Sequence, residues 1–468
     1  MGQHGGGTGG HAVRSEAGDR EKRGRRGKPE QDGAEGARGA KGTEGTEAGR
    51  AAPARLADVD ALRGFALFGI LTVNITYLAS AYHGTGVEEP GFGSPLDTGV
   101  RLLVALLFEA KFFLLFSFLF GYSFTLQLDS AERRGARFTP RFLRRLAGLF
   151  VLGVLHAVVL FPGDILTTYA VLGLILLALR RLRPRTAVRT AVVLFTVTSA
   201  AYLLLAVALR GADGGDRAVL AADAQQATEA LRGGFGSVVG AHLDQLPDVL
   251  FLLAFFQAPA ALAAFLLGLA AGRQRALAEP GRHDRTLRRL QVWGFPLGLL
   301  GAAVYTYSAL RNPGASFQVF ALGVDVITAP LLAAAYAATV LRIARGRHGR
   351  RMVAVLAPPG RMTLTNYLTQ SLVCVLLFTG VGVGLIGRVP PPGVALIGVA
   401  LFAAQAVFCR WWLARHPYGP VEWLLRAVTT LSRPRWRGSA DTADTADTAT
   451  VGAAGAVTGP TGGPGAAG

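Results

Sequence analysis

From Leu62 onward the sequence returns again and again to apolar runs of roughly 20 residues, the length an α-helix needs to cross a hydrocarbon core of about 30 Å, and Arg-rich clusters separate many of them. A chain of 468 residues that is 51% hydrophobic and only 17% charged, with a mean hydropathy of +0.37, can form one large core or a set of membrane spans. Run length decides for spans. The fold class that follows is all-α, a polytopic α-helical transmembrane bundle. Ten helices are predicted, over 62–82, 102–128, 146–162, 165–180, 187–209, 248–271, 291–310, 317–341, 363–386 and 393–413.

The connections alternate in charge. "ERRGARFTPRFLRR", "RRLRPRTAVR", "RQRALAEPGRHDRTLRR", "RIARGRHGRR" and "RHPYGPVEWLLR" are basic, whereas "HGTGVEEPGFGSPLD" and the segment 210–248 lean acidic. Cytoplasmic loops carry the Lys and Arg excess, so both termini are predicted to be cytoplasmic and the location to be the cell (plasma) membrane. The formal charge of +18 is spread through these short loops, which argues for topology and against nucleic acid as a partner; the partner implied is the lipid bilayer. Residues 1–54 mix Gly, Arg, Lys and Glu without periodicity, and 433–468 include a repeated "ADT"; both read as low-complexity tails around a membrane domain at 55–432. Cys374 and Cys409 lie in apolar runs without a metal-binding neighbourhood, so no metal site is indicated.

An ionisable side chain in the bilayer interior costs several kcal/mol unless it faces a partner or a wet cavity, and such residues mark the candidate sites. Near the cytoplasmic face, Asp60 and Arg63 are three apart and can pair, or simply anchor the first helix at the interface. In "RFLRRL", Arg141 and Arg144 have the spacing to hold phosphate groups in forked hydrogen bonds, or to serve only as a topology signal. Deeper, Glu109 and Lys111 are two apart in the second predicted helix, about 200° of rotation, so each needs a partner on another helix. His156 is expected about ten residues into the third helix, near the midplane. Asp164 follows Pro162-Gly163, where it can cap the next helix or orient the His156 imidazole. Asn74 is eleven residues beyond Arg63 on nearly the same face, at the depth of His156, which suggests one polar stripe through the first helix. Thr363, Asn366 and Gln370 share a face of the ninth helix, as interhelical hydrogen-bonding groups or as part of a site. "HPYGPVEWLLRAVTTL" reads as a turn followed by an amphipathic surface helix, with Glu422 and Arg426 at i, i+4. No P-loop, HExxH, GxSxG or dinucleotide fingerprint is present, so no bound cofactor is expected.

Taken in order, "DALRGFALFGILTVNI", "KFFLLFSFLFGYSF", "LGVLH" with "GDILTTYAVLGL", "GRMTLTNYLTQS" and "YGPVEWLLR" resemble the YeiB family of bacterial membrane proteins, whose C-terminal half, about 260–432 here, is domain of unknown function 418. More distantly, "DALRGFA" and "FFLLFSFLFGY" are similar to signatures of membrane acyltransferases that modify sugars and envelope polymers. That similarity implies transfer of an acyl group from cytoplasmic acyl-CoA to an envelope or small-molecule acceptor. It would place Arg63, Arg141 and Arg144 at the donor's phosphates and make His156 the base, with Lys111 or Asn74 stabilising the oxyanion. Those enzymes commonly carry a His near the first-helix signature, and this first helix has none. The same polar residues also fit a proton-coupled transporter, with Glu109, His156 and Asp164 titrating and Lys111 as counter-charge, or a structural membrane protein in which they only join helices.

Overall fold

The computed structural model describes residues 44–436 apart from 134, 136, 211–215, 279–282, 312–313 and 348, with side chains from Ala57 onward. The predicted tails therefore lie largely outside the described residues. From Ala51 the chain forms one compact unit, and every regular element among the described residues is helical. The helices are α1 (Glu44–Ala79), α2 (Pro95–Leu107), α3 (Lys111–Arg133), α4 (Phe138–Val159), α5 (Leu166–Ala178), α6 (Pro184–Ala208), α7 (Arg217–Arg232), α8 (Phe235–Leu252), α9 (Ala258–Arg273), α10 (Asp284–Arg311), α11 (Ala315–Ala344), α12 (Gly349–Arg361), α13 (Thr363–Phe378), α14 (Pro391–Leu413) and α15 (Pro420–Thr430). A π-helical turn at Leu253–Gln257 joins α8 to α9.

All ten predicted segments have helical counterparts, and 7 helical stretches are long and apolar enough to cross a membrane. Two corrections concern where helices stop. The predicted second helix is two, α2 and α3, because Ala110 takes a left-handed conformation (φ 64°) that interrupts the hydrogen-bond ladder. The predicted ninth helix overshoots: α13 ends at Phe378 and the Gly-rich stretch after it turns back, with Gly384 and Gly387 at positive φ. The segment 210–248 contains α7 and most of α8, and Arg232 of α7 donates to the Ile386 carbonyl at 2.8 Å, tying it over the α13–α14 connection.

Helix α1 is central: Ala61, Leu62, Ala66 and Leu67 are completely buried. The exterior is apolar, with Val193, Val197, Trp293 and Leu300 all exposed on α6 and α10, as a surface facing lipid requires. Helices associate in such a solvent through close approach of small residues more than through hydrophobic burial. Gly294, Gly298 and Gly301 supply this on α10, where a Cβ at Gly298 would come within 2.5 Å of the Leu332 Cβ of α11. The bundle has two distinct ends. At the Arg-rich end Arg345 meets Asp284 at 3.3 Å and α15 packs under α4; at the opposite end the Gly387 N–H donates to the Ala79 carbonyl at 3.1 Å.

Candidate functional site

Among the described residues, the ionisable candidates fall into three separate places in the bundle. The first lies where α4 and α5 meet around the Pro162–Asp164 turn. Gly153 lets the turn close, since a Cβ there would sit 2.6 Å from both Asp164 Oδ2 and the Thr167 nitrogen. Asp164 Oδ2 accepts from the Thr167 N–H at 2.8 Å and so caps α5, while Oδ1 lies 3.0 Å from His156 Nδ1. Asp164 thus caps α5 with one oxygen, whereas its other oxygen and His156 Nδ1, though 3.0 Å apart, miss hydrogen-bond geometry and have no other hydrogen-bond partner. On the other side of the imidazole, Nε2 is 2.9 Å from Ser371 Oγ on α13, and the Tyr367 ring lies 4.9 Å from the imidazole, centroid to centroid. His156, Asp164 and Ser371 are each at most 2% exposed. Asn74 faces the same place: with Tyr367, Gln370 and Ser371 it lines a slit between α1 and α13 too narrow for a water. His156 is in the last turn of α4, not at its middle, because α4 begins at Phe138, eight residues before the predicted start.

The second cluster sits at the break between α2 and α3. Glu109 and Lys111 flank Ala110, and each finds a partner elsewhere, as their spacing demanded. Glu109 Oε1 lies 3.1 Å from His83 Nε2 and also accepts a hydrogen bond from Tyr305 on α10. Lys111, completely buried, lies 3.6 Å from Asp325 Oδ1 on α11, donates to the Ala105 carbonyl at 3.4 Å and stands 5.6 Å from the Tyr305 ring centroid. Lys111 therefore pairs with Asp325, whereas His156 lies against Ser371, Asp164, Phe161 and Tyr367. A cavity of about 1230 Å³ opens above this cluster, and Glu109, His83 and Tyr305 line it.

The third cluster is at the Arg-rich end. Arg63 pairs with Asp60 at 2.5 Å and donates to Ser123 of α3 at 2.7 Å. Of the expected arginine pair, Arg141 is exposed and Arg144 is half-buried; their neighbour Arg145, also half-buried, hydrogen-bonds Gln127 and stands 6.0 Å over the Phe120 ring. No continuous stripe joins Arg63 to Asn74. Arg63 donates toward α3, Asn74 faces α13, and between them Ala66, Leu67 and Leu71 are buried in the apolar core. Asn366 and Gln370 are engaged with α14: Asn366 bonds Cys409 at 3.1 Å, and Gln370 donates to Gln405 at 2.7 Å. Thr363 donates only locally, to the Gly360 carbonyl.

Residues 271–432 match the family described as protein of unknown function (DUF418). The uncharacterized protein YxaH of Bacillus subtilis is 34% identical over 396 residues, covering 81% of this chain and 95% of that protein. The chain belongs to the DUF418 family. Another relative, the uncharacterized protein YeiB of Escherichia coli, is 28% identical over 400 residues, covering 80% of this chain and 96% of YeiB. The DUF418 match takes in α10 to α15, and so supplies Ser371, Asp325, Asn366 and Gln370, whereas His156, Asp164, Glu109 and Lys111 come from the helices before it.

Among the cluster residues missing from the sequence candidates are Asp325, His83, Arg145 and Ser371. Asp325 carried the same signal as Lys111, an ionisable group inside the apolar run "ALGVDVITAP". His83 stands just past the end of α1, where depth alone made it look like a loop residue. Arg145 was masked by its basic neighbours. Ser371 carried no signal, because hydroxyls are frequent in membrane helices.

Proposed function

We propose that this multi-pass protein, set in the cell membrane with both termini cytoplasmic, transfers an acyl group to an acceptor through Ser371. The observation that carries this reading is the Ser371–His156–Asp164 relay, with consecutive separations of 2.9 and 3.0 Å. A hydroxyl is a weak nucleophile until an adjacent base takes its proton, and the base serves best when a carboxylate holds its other nitrogen. Here Nε2 of His156 accepts the Ser371 proton as Oγ attacks a thioester carbonyl. Collapse of the tetrahedral adduct expels the thiolate, which takes that proton from the imidazolium, and leaves an acyl-serine. An acceptor hydroxyl then attacks the ester, its proton passing through His156 back to Ser371 as the ester bond breaks. Asn74, across the slit, is positioned to donate to the oxyanion. The donor is an acyl-CoA, whose phosphates meet Arg63 and Arg145 at the Arg-rich end. Because the slit is closed to water, reaction requires α1 and α13 to separate for each substrate, and their closing again keeps water from the acyl-serine between the two steps.

The test is labelling of purified full-length protein with acyl-radiolabelled acetyl-CoA. Wild type is expected to retain label on Ser371 or pass it to an added acceptor. His156→Ala and Ser371→Ala are each expected to lower the rate by at least about 100-fold. Labelling of both variants at the wild-type rate removes the relay from the chemistry.

A further inference from the structure

We infer that the cavity above Glu109 is a binding site for an organic cation, an ammonium or guanidinium on an apolar body, and that its occupancy is coupled to a proton on His83. This does not rest on the acyl-transfer reading: none of Ser371, His156, Asp164 and Asn74 lines that cavity.

The inference begins with a charge balance. Among the described residues, four ionisable groups meet at the cavity floor: Glu109, Lys111, Asp325 and His83. Lys111 and Asp325 neutralise each other at 3.6 Å, and neither lines the cavity. Glu109 does line it and is 6% exposed; the Lys111 charge reaches it too, but one ammonium shared by the Glu109 and Asp325 carboxylates leaves one negative charge uncompensated. A buried carboxylate in this setting is expensive without a counter-charge. Either His83 is protonated, or a cation enters and takes its place. His83 is held for this exchange: its ring packs edge-on against Tyr77 at 4.4 Å, and Nε2 lies 3.3 Å from the Thr76 hydroxyl as well as 3.1 Å from Glu109. Glu89 also lines the cavity and acts on His83, but it is bonded to Ser80 at 2.7 Å and balanced by Arg101 and Arg232; Glu88, Arg101 and Arg311 are the other charged side chains of the lining.

The walls fit the rest of such a ligand. Phe68, Phe108 and Tyr305 line the cavity, giving apolar area and aromatic faces that attract cations. The volume of about 1230 Å³ exceeds what a small inorganic ion needs and matches an organic molecule.

The experiment is calorimetric titration of the full-length protein in detergent with three probes of one size and shape: 2-phenylethylammonium, 2-phenylethanol and 3-phenylpropionate. The ammonium is expected to bind, and the alcohol and the anion to bind at least about tenfold more weakly, a difference of about 1.4 kcal/mol. Proton and cation compete for one carboxylate, so affinity for the ammonium is expected to rise with pH, with a proton released on binding. Glu109→Gln is expected to weaken the ammonium at least about tenfold. His83→Ala keeps the carboxylate, and is expected to bind the ammonium with the pH dependence flattened. If Glu109→Gln does not fold, the His83→Ala pH series decides alone. Equal or tighter binding of the anion, no ammonium binding up to about 10 mM, or an unchanged pH dependence in His83→Ala each overturns the inference.

Discussion

At the scale of single residues, the polar groups buried in this bundle divide by what their partners leave undone. Lys111 is the clearest case. As the only lysine beyond the N-terminal tail, it was marked by sequence as something other than an interchangeable anchor, and the structure gives it a structural commitment to Asp325 on α11. Removing one member of a buried ion pair leaves an uncompensated charge and costs about 3–5 kcal/mol, whereas replacing both by apolar groups is often neutral. Lys111→Met alone is therefore expected to lower stability in detergent by that amount, and Lys111→Met with Asp325→Leu to recover most of it. The measurement is a double-mutant cycle on thermal or denaturant unfolding; additive losses would mean that the two charges do not interact. What the sequence could say about these residues was chemical and not geometric. Glu109 and Lys111 needed partners because of their depth, but His83, Tyr305 and Asp325 come from three other parts of the chain. Only the packing of α10 and α11 brings two of them together.

At the scale of elements, hydropathy located helices well and their interruptions poorly. Ala110 breaks α2 from α3 without the Pro or Gly that would announce a kink, so the apolar run reads as continuous. Asn366, Gln370 and Gln405 show what a polar face near a helix start does here: their bonds fasten α13 to α14. Glu422 is a further example, because its i, i+4 spacing with Arg426 suggested a pair within α15. Instead Arg426 lies over the Tyr418 ring at 4.7 Å. Glu422 accepts from the Leu364 and Thr365 N–H groups at 2.7 and 3.0 Å and from the Thr365 hydroxyl. One surface helix thus caps another helix's first turn with a carboxylate, where the helix dipole favours negative charge. Glu422→Ala is expected to cost about 1–2 kcal/mol, the value of a lost cap. Burial pushes the Glu422 carboxyl up, opposed by the bonds from Thr365 and Leu364. With the folded value above the unfolded one, the native state binds the proton more tightly, and stability declines as pH rises from about 4.3 through the raised value. Glu422→Gln is expected to remove that decline, read as the dependence of melting temperature on pH. A slope identical to wild type would assign the titration to another group.

For the whole molecule, the alternation of basic and non-basic connections was the most informative feature of the sequence, because it specifies which loops share an end. The contacts agree: Arg345 with Asp284 and Glu422 with the start of α13 occupy one end, and Gly387 with Ala79 and Arg232 with Ile386 the other. The relay at His156 and the cavity above Glu109 both lie toward the second end, since His156 is in the last turn of α4 and the cavity is lined by the connection after α1. If basic connections face the cytoplasm, that end faces outward, and an acceptor or a cation reaches its site from outside the cell. Cysteine accessibility can decide this, because Cys374 and Cys409 are completely buried and give little background. Gly93, in the connection between α1 and α2, and Arg347, between α11 and α12, are both exposed and belong to opposite ends. With a membrane-impermeant maleimide, Gly93→Cys is expected to be labelled on intact cells and Arg347→Cys only after the membrane is opened. The reverse pattern would put the Arg-rich end outside and send the donor and acceptor to the wrong compartments. Labelling of both on intact cells would mean that an odd number of crossings does not separate them, and that α10 or another of the helices outside the 7 clearest spans fails to cross.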